Sequence, residues 1–379
     1  MKKLLILCIA FTLFSVASAY AQTRYWVGGA STNWGLAGNW SLISGGAGGA
    51  AVPAGLGWTA IFDNNSGGIP TFSAGVPNNV VIQGQLGNGV VLNQPGLSID
   101  ARIFSGASFN FTAATTILVF DVSGGSVSGI GAATITTLNF PGGGALTWSG
   151  NATNVNITGG ATVDYSSGSI GSLTLSSGVF NVPVGQTVNI TNISPISAGQ
   201  TVNINGTLIV NSGAALNVAG TVNVNAGGIL TFNGAGSFTG TPPVYAIGSQ
   251  LQYTGITPKT VGAEIPVAAP MNALITLDNA GGVTLGAGVA YQLYGGMTMN
   301  PGRVLAFNTN TVLDLFAGSY CWGGSLQGNN TASLRFMGAV AQACSCVNFI
   351  APQELNTLVL NASGMGLGTK SLFEKSFFG

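Results

Sequence analysis

Between Gly178 and Asn233 the chain repeats itself every 14 residues. The four units read GVFNVPVGQTVNIT (178–191), NISPISAGQTVNIN (192–205), GTLIVNSGAALNVA (206–219) and GTVNVNAGGILTFN (220–233). Glycine holds the eighth position of each: Gly185, Gly199, Gly213 and Gly227. Positions 11 and 13 are apolar in all four units. Positions 3 and 5 are apolar in three, and the second unit places Ser194 in one of these slots. Each unit therefore reads as an alternating strand, a glycine turn, a second alternating strand and a second turn. A fixed short period of this kind is the signature of a solenoid, in which no coil buries its apolar face without its neighbours.

Composition agrees with an all-β chain. Only 5% of the 379 residues are charged, and the formal net charge is zero. That removes the electrostatic basis for binding nucleic acid. The 60 glycines would suit disorder, but 46% of the chain is hydrophobic, and the apolar residues alternate. Disordered chains lack that apolar content. The expected fold is a parallel β-helix, or β-solenoid, with a Trp/Gly-rich cap at its N-terminal end.

The first residues read as a secretory signal. Lys2 and Lys3 precede an apolar run from Leu4 to Val16, and small residues at Ala19 and Ala21 frame a cleavage site. The run is shorter than the ~20 residues that span a bilayer. Cleavage after Ala21 leaves Gln22 first, a mature chain without a transmembrane segment, and a secreted or outer-surface location. The mature chain keeps Cys321, Cys344 and Cys346. Export favours a disulfide. Cys344 and Cys346 stand too far apart along a strand to pair with each other. The candidate bridge joins Cys321 to one of them, and three free thiols are the alternative.

Residues 22–66 hold four of the six tryptophans: Trp26, Trp34, Trp40 and Trp58. Two readings stand side by side. The rings plug the open end of a solenoid, or they form a carbohydrate-stacking platform with Trp34 and Trp40 as its candidate residues. The order of motifs here is Tyr25-Trp26-Val27-Gly28-Gly29, Asn33-Trp34, Asn39-Trp40-Ser41, Ser44-Gly45-Gly46, Val52-Pro53 and Ile61-Phe62-Asp63-Asn64-Asn65-Ser66. It resembles the opening of large exported, repetitive, adhesin-like surface proteins of Bacteroidetes-type bacteria. That resemblance implies a glycine-rich β-solenoid exported by the type IX route. Such proteins end in a C-terminal sorting domain, and none is recognisable here. The segment from Leu251 to Leu285 is similar to the same group.

Short alternating runs continue from 67 to 177 at irregular spacing. A longer repeat begins near Ser249: Leu251-Gln252-Tyr253-Thr254-Gly255 matches Leu334-Arg335-Phe336-Met337-Gly338. A match of Asn279–Gly286 to Asn361–Gly368 follows at nearly the same offset, about 82 residues, which implies several coils per large repeat. After Gly368 the alternation stops, and the expectation is a fragment of a larger protein. A short terminal cap made by Leu372, Phe373, Phe377 and Phe378 is the alternative. The resulting divisions are 1–21 (signal), 22–98 (cap and first coils), 99–248 (solenoid with the 14-residue units) and 249–379 (solenoid with the longer repeat).

Stacking like positions on like would give inward columns of Phe180, Leu208 and Val222 on one strand, and of Val188, Val202, Leu216 and Leu230 on the other. Coil size stays open: two units per coil, or one unit plus a third strand. Position 12 carries Asn189, Asn203, Asn217 and Thr231. Facing outward, these make either a solvated face with amide ladders between coils or a flat array that binds ice or glycans.

No catalytic constellation is apparent. The chain has no histidine, so Ser-His-Asp and Cys-His catalysis is excluded, and zinc chemistry is not expected. The mature carboxylates are scattered, and Arg102, Lys259, Arg303 and Arg335 read as isolated. No cofactor and no metal site is expected. The main expectation is a non-enzymatic, structural or adhesive surface solenoid. Its expected partner is an extracellular polysaccharide or the surface of a host or neighbouring cell. A polysaccharide-degrading β-helix enzyme and a carbohydrate-binding surface module are the alternatives.

Overall fold

In the computed structural model, residues 22–360 are described apart from 29–32, 67, 86–88, 105–106, 125, 129–132, 268–269, 317, 338–339 and 343–347. The signal segment, Cys344, Cys346 and the second copy of the longer repeat beyond Leu360 lie outside the described residues. Almost everything described is strand or turn, with one three-residue 3-10 turn at Ala37–Asn39. The chain forms two units, Met1–Asn139 and Phe140–Gly379. Each is a β-solenoid of stacked parallel coils.

In the first unit, one column of parallel strands runs through Gln22–Trp26, Trp58–Phe62, Val81–Gly84, Leu97–Ile103, Thr115–Val122 and Ala133–Phe140. A second column runs through Thr71–Phe72, Gly89–Leu92, Ser108–Phe111 and Ser126–Ser128. The far edge of the first strand is not left open. Trp40–Ser41 pairs with it antiparallel, Trp26 opposite Trp40, which covers an edge that would otherwise recruit another chain.

Above that edge sits an aromatic plug of Trp26, Trp34, Trp40, Phe62 and Phe72, all 0–1% exposed. Its closest rings, Trp34 and Trp40, lie 4.7 Å apart edge to face. Such contacts are worth about 0.5–1.5 kcal/mol each beyond the area they bury. The two Asn-Trp pairs explain themselves here. The Trp40 indole donates to the Trp34 carbonyl (2.8 Å), and the Asn39 amide donates to the Asn33 carbonyl (2.9 Å). The tryptophan segment is thus a cap, as one of its two readings holds.

The 14-residue units lie in the second unit, and their winding departs from the expected stacking. Each supplies two strands, but a coil contains three. Gly178–Val182 pairs with Thr201–Ile204, and that strand with Thr221–Val224. Thr187–Ile190 pairs with Thr207–Val210, then Ile229–Asn233. Ile193–Ile196 pairs with Ala215–Val218, then Ser237–Gly240. A coil therefore holds one and a half units. Its length alternates: Asn181 meets Asn203 at a separation of 22 residues, and Asn203 meets Asn223 at 20. Long and short turns then alternate along each corner. Gly185, Gly199, Gly213 and Gly227 sit in the long turns with φ of 73–82°, a region that other residues occupy only under strain. In the short turns it is space that demands glycine. A Cβ on Gly220 would meet the Gln200 and Ser197 carbonyl oxygens at 2.4 and 2.5 Å.

The inward columns consequently join position 3 to position 11, not like to like. Phe180, Val202 and Val222 form one. Val188, Leu208, Leu230, Leu251, Ile275 and Met297 form another. All are at most 2% exposed, and burial of each contributes roughly 1.5–3 kcal/mol. Ser194, the exception in the pattern, also points inward. Its hydroxyl accepts from the Leu173 N–H of the preceding coil at 2.9 Å, which accounts for a buried polar group in that slot.

Position 12 behaves the same way. Asn203 lies between Asn181 and Asn223, not between Asn189 and Asn217. The amides bond coil to coil: Asn223 to Asn203 (2.9 Å), Asn203 to Asn181 (2.9 Å) and Asn181 to Asp164 (2.7 Å). The longer repeat is likewise out of step with the coils. Leu251 belongs to the column that continues through Ile275 and Met297, whereas Leu334 pairs with Leu313 in another sheet.

Candidate functional site

Trp34 and Trp40, the candidate stacking residues, offer no ring face to a sugar. Burial in the plug leaves them 1% and 0% exposed, and the Trp34 indole donates to the Pro53 carbonyl at 3.0 Å. As glycan-stacking residues they are corrected by this burial: ring-to-ring packing occupies the surface a sugar needs. Cys321 lies in the strand Gly318–Trp322, opposite Thr298. Its expected partners fall outside the described residues.

The four basic residues that read as isolated are all paired. Arg102 reaches Asp121 at 3.6 Å, and Arg303 reaches Asp278 at 2.9 Å. Arg335 grips Asp314 with two contacts of 2.6 Å. Each of these pairs joins neighbouring coils, so partners roughly 20 residues apart in sequence become neighbours in space. The Asn300 side chain and then Arg303 hold the Asp278 carboxyl below the usual carboxylate range, and Asp314 raises the Arg335 guanidinium.

The fourth pair is interior. Lys259 begins an inward column that continues with Val283 and Leu305. Its ammonium lies 2.9 Å from Glu264, with the side chains only 3% and 0% exposed. It also stands 4.7 Å from the Phe232 ring centre. The other Glu264 oxygen accepts from the Gly262 N–H at 2.9 Å, and the Tyr253 hydroxyl approaches the first at 3.3 Å. The Tyr245 hydroxyl donates to the Glu264 carbonyl at 2.8 Å. Burial first, and then the Glu264 charge, push both phenols well above the usual tyrosine range. The bend of residues 255–265 folds a carboxylate back onto a lysine that a sheet position forces inward. No periodic signal announces it, because both partners belong to one irregular coil.

Beside this coil lies an open surface groove of about 510 Å³. Ile247 and Gln250 come from one coil, Asn272 and Leu274 from the next, and Tyr294 from the third. Tyr294 stacks on Phe316 with ring centres 4.6 Å apart and planes 6° from parallel. Gln250 accepts a hydrogen bond from Gln252 through Oε1, and its Nε2 has no partner among the described residues. The Asn272 amide has no hydrogen bond among the described residues. No lining side chain is charged. The groove has no sequence motif because its residues are brought together only by the coil period.

Among the described residues no group of three metal-ligating side chains comes together, and no helix is long and apolar enough to cross a membrane. No protein-family model, no curated protein and no solved structure matches this chain.

Proposed function

We propose that the chain is exported and acts outside the cell as a non-enzymatic, structural and adhesive β-solenoid. The carrying observation is where the polar side chains go. Amides, carboxylates and guanidinium groups bond from coil to coil, as in the ladder from Asp164 to Asn223, the two exposed ion pairs of Arg102 and Arg303, and the pair of Arg335 with the buried Asp314. That arrangement supports stacking and displays a repeated face. It does not converge acids and bases on one point, as glycoside hydrolysis requires of its two carboxylates. The leader-like residues 1–21 support export.

Two measurements test this reading. Expressed in a bacterium with an outer membrane, the chain is expected in the medium or on the surface, beginning at Gln22. Beads coated with purified protein are expected to adhere to polysaccharide-covered surfaces without releasing reducing ends. Cytoplasmic retention with an intact N-terminus, or steady release of reducing sugar, contradicts it.

A further inference from the structure

We infer that the groove between Gln250 and Tyr294 is the adhesive site and takes a neutral glycan chain. This rests on the adhesive reading and deepens it. A sugar ring presents an apolar C–H face and a rim of hydroxyls. The groove has the complement of both: an aromatic ring held by Phe316, apolar walls from Ile247 and Leu274, and two amides with unused hydrogen-bonding capacity, Gln250 and Asn272. Tyr294 is fixed from behind, so binding does not have to order it first, which limits the entropy cost. The groove volume falls within the ~300–1,000 Å³ of small-ligand clefts.

Two features argue for a glycan over a peptide. Backbone groups along the groove are already engaged in coil pairing, since the Leu274 N–H donates to the Ser249 carbonyl and the Tyr294 N–H to that of Met271. A peptide adding as a strand would need them free. The polar groups left over are side-chain amides, which match hydroxyls. The lack of charge in the lining selects against anionic polymers such as polygalacturonate. Three successive coils contribute, so the site extends about 10 Å along the stack and engages more than one sugar.

Affinity electrophoresis of the full chain through gels containing mannan, laminarin, galactan or polygalacturonate tests this. At least one neutral polymer is expected to retard the protein, and polygalacturonate is not. Tyr294→Ala is expected to weaken retardation about tenfold, a loss of ~1.4 kcal/mol, and Tyr294→Phe to retain it. Should Tyr294→Ala fail to fold, Asn272→Ala carries the test, because its amide makes no hydrogen bond among the described residues, and it is expected to weaken retardation as well. Retardation by no neutral polymer, by polygalacturonate alone, or unchanged by folded Tyr294→Ala or Asn272→Ala overturns the site. If coated beads still adhere in those cases, adhesion stands and only the groove is wrong. If the groove binds glycan but beads do not adhere, the adhesive role fails instead.

Discussion

The coils of 178–240 and the coil that follows Gln250 belong to one stack but use polar side chains in opposite ways. In the first, inward positions are apolar apart from Ser194, and outward amides bond to their equivalents one coil away. In the second, a lysine occupies an inward position, and the turn that follows its short strand brings Glu264 back to it. The outward amides beside it, Gln250 and Asn272, keep donors or acceptors to spare. A regular coil uses its polar groups to hold its neighbour. An irregular one carries an internal electrostatic obligation and leaves surface groups for something else.

The largest expected effect comes from breaking that obligation. Glu264→Gln leaves the Lys259 charge buried without a counter-charge and is expected to cost about 3–5 kcal/mol in denaturant unfolding. Adding Lys259→Met is expected to recover most of the loss, because the glutamine carbonyl still accepts from Gly262. A single-mutant cost below ~1 kcal/mol would mean that the pair is not enclosed as described.

Alkaline pH probes the same coil. The phenols of Tyr245 and Tyr253 are held above the usual tyrosine range when folded, whereas unfolded tyrosine ionises near pH 10. Stability from this source is therefore complete below about pH 10. It declines as pH rises further, by up to ~1.4 kcal/mol per pH unit for each phenol. Tyrosinate absorbance is expected to show these two groups ionising only as the chain unfolds. Ionisation in the folded state near pH 10 would contradict their burial.

The smallest effect separates the two kinds of amide. Asn203→Ala removes both neighbours' ladder bonds and is expected to cost about 0.5–1.5 kcal/mol. Asn272→Ala, with no hydrogen bond to lose among the described residues, is expected to change the unfolding midpoint within error. Equal costs would erase the distinction between ladder and groove.

Much of the fold is readable from the residues. Alternation reports which side chains face inward, and a glycine fixed at position 8 reports a turn that needs positive φ. What alternation does not report is which strand lies on which. Phe180 faces inward whether it stacks on Val202 or on Leu208, so coil size is invisible to the pattern. Once three strands per coil are known, the spacing of Arg335 and Asp314, one coil apart, becomes meaningful; without that length they are two lone charges. Lys259 and Glu264 lie five residues apart in an irregular bend, where no period applies. The groove combines three coils and was equally out of reach. A cap and a stacking platform look alike in the tryptophan segment, because composition reports aromatic content and not exposure.

The central claim is three strands per coil, one and a half units in each turn. Paired cysteines test it directly in a chain whose own cysteines are replaced by serine. With Asn181→Cys and Asn203→Cys, side chains on adjacent coils face each other at a spacing a disulfide can bridge. With Asn189→Cys and Asn203→Cys, both at position 12, they stand on different faces. Mild oxidation is expected to link the first pair within one chain, identified by mass spectrometry of the joined peptides, and to leave the second free. Efficient linkage of 189 to 203, with 181 and 203 unlinked, would mean one unit per coil and would contradict it.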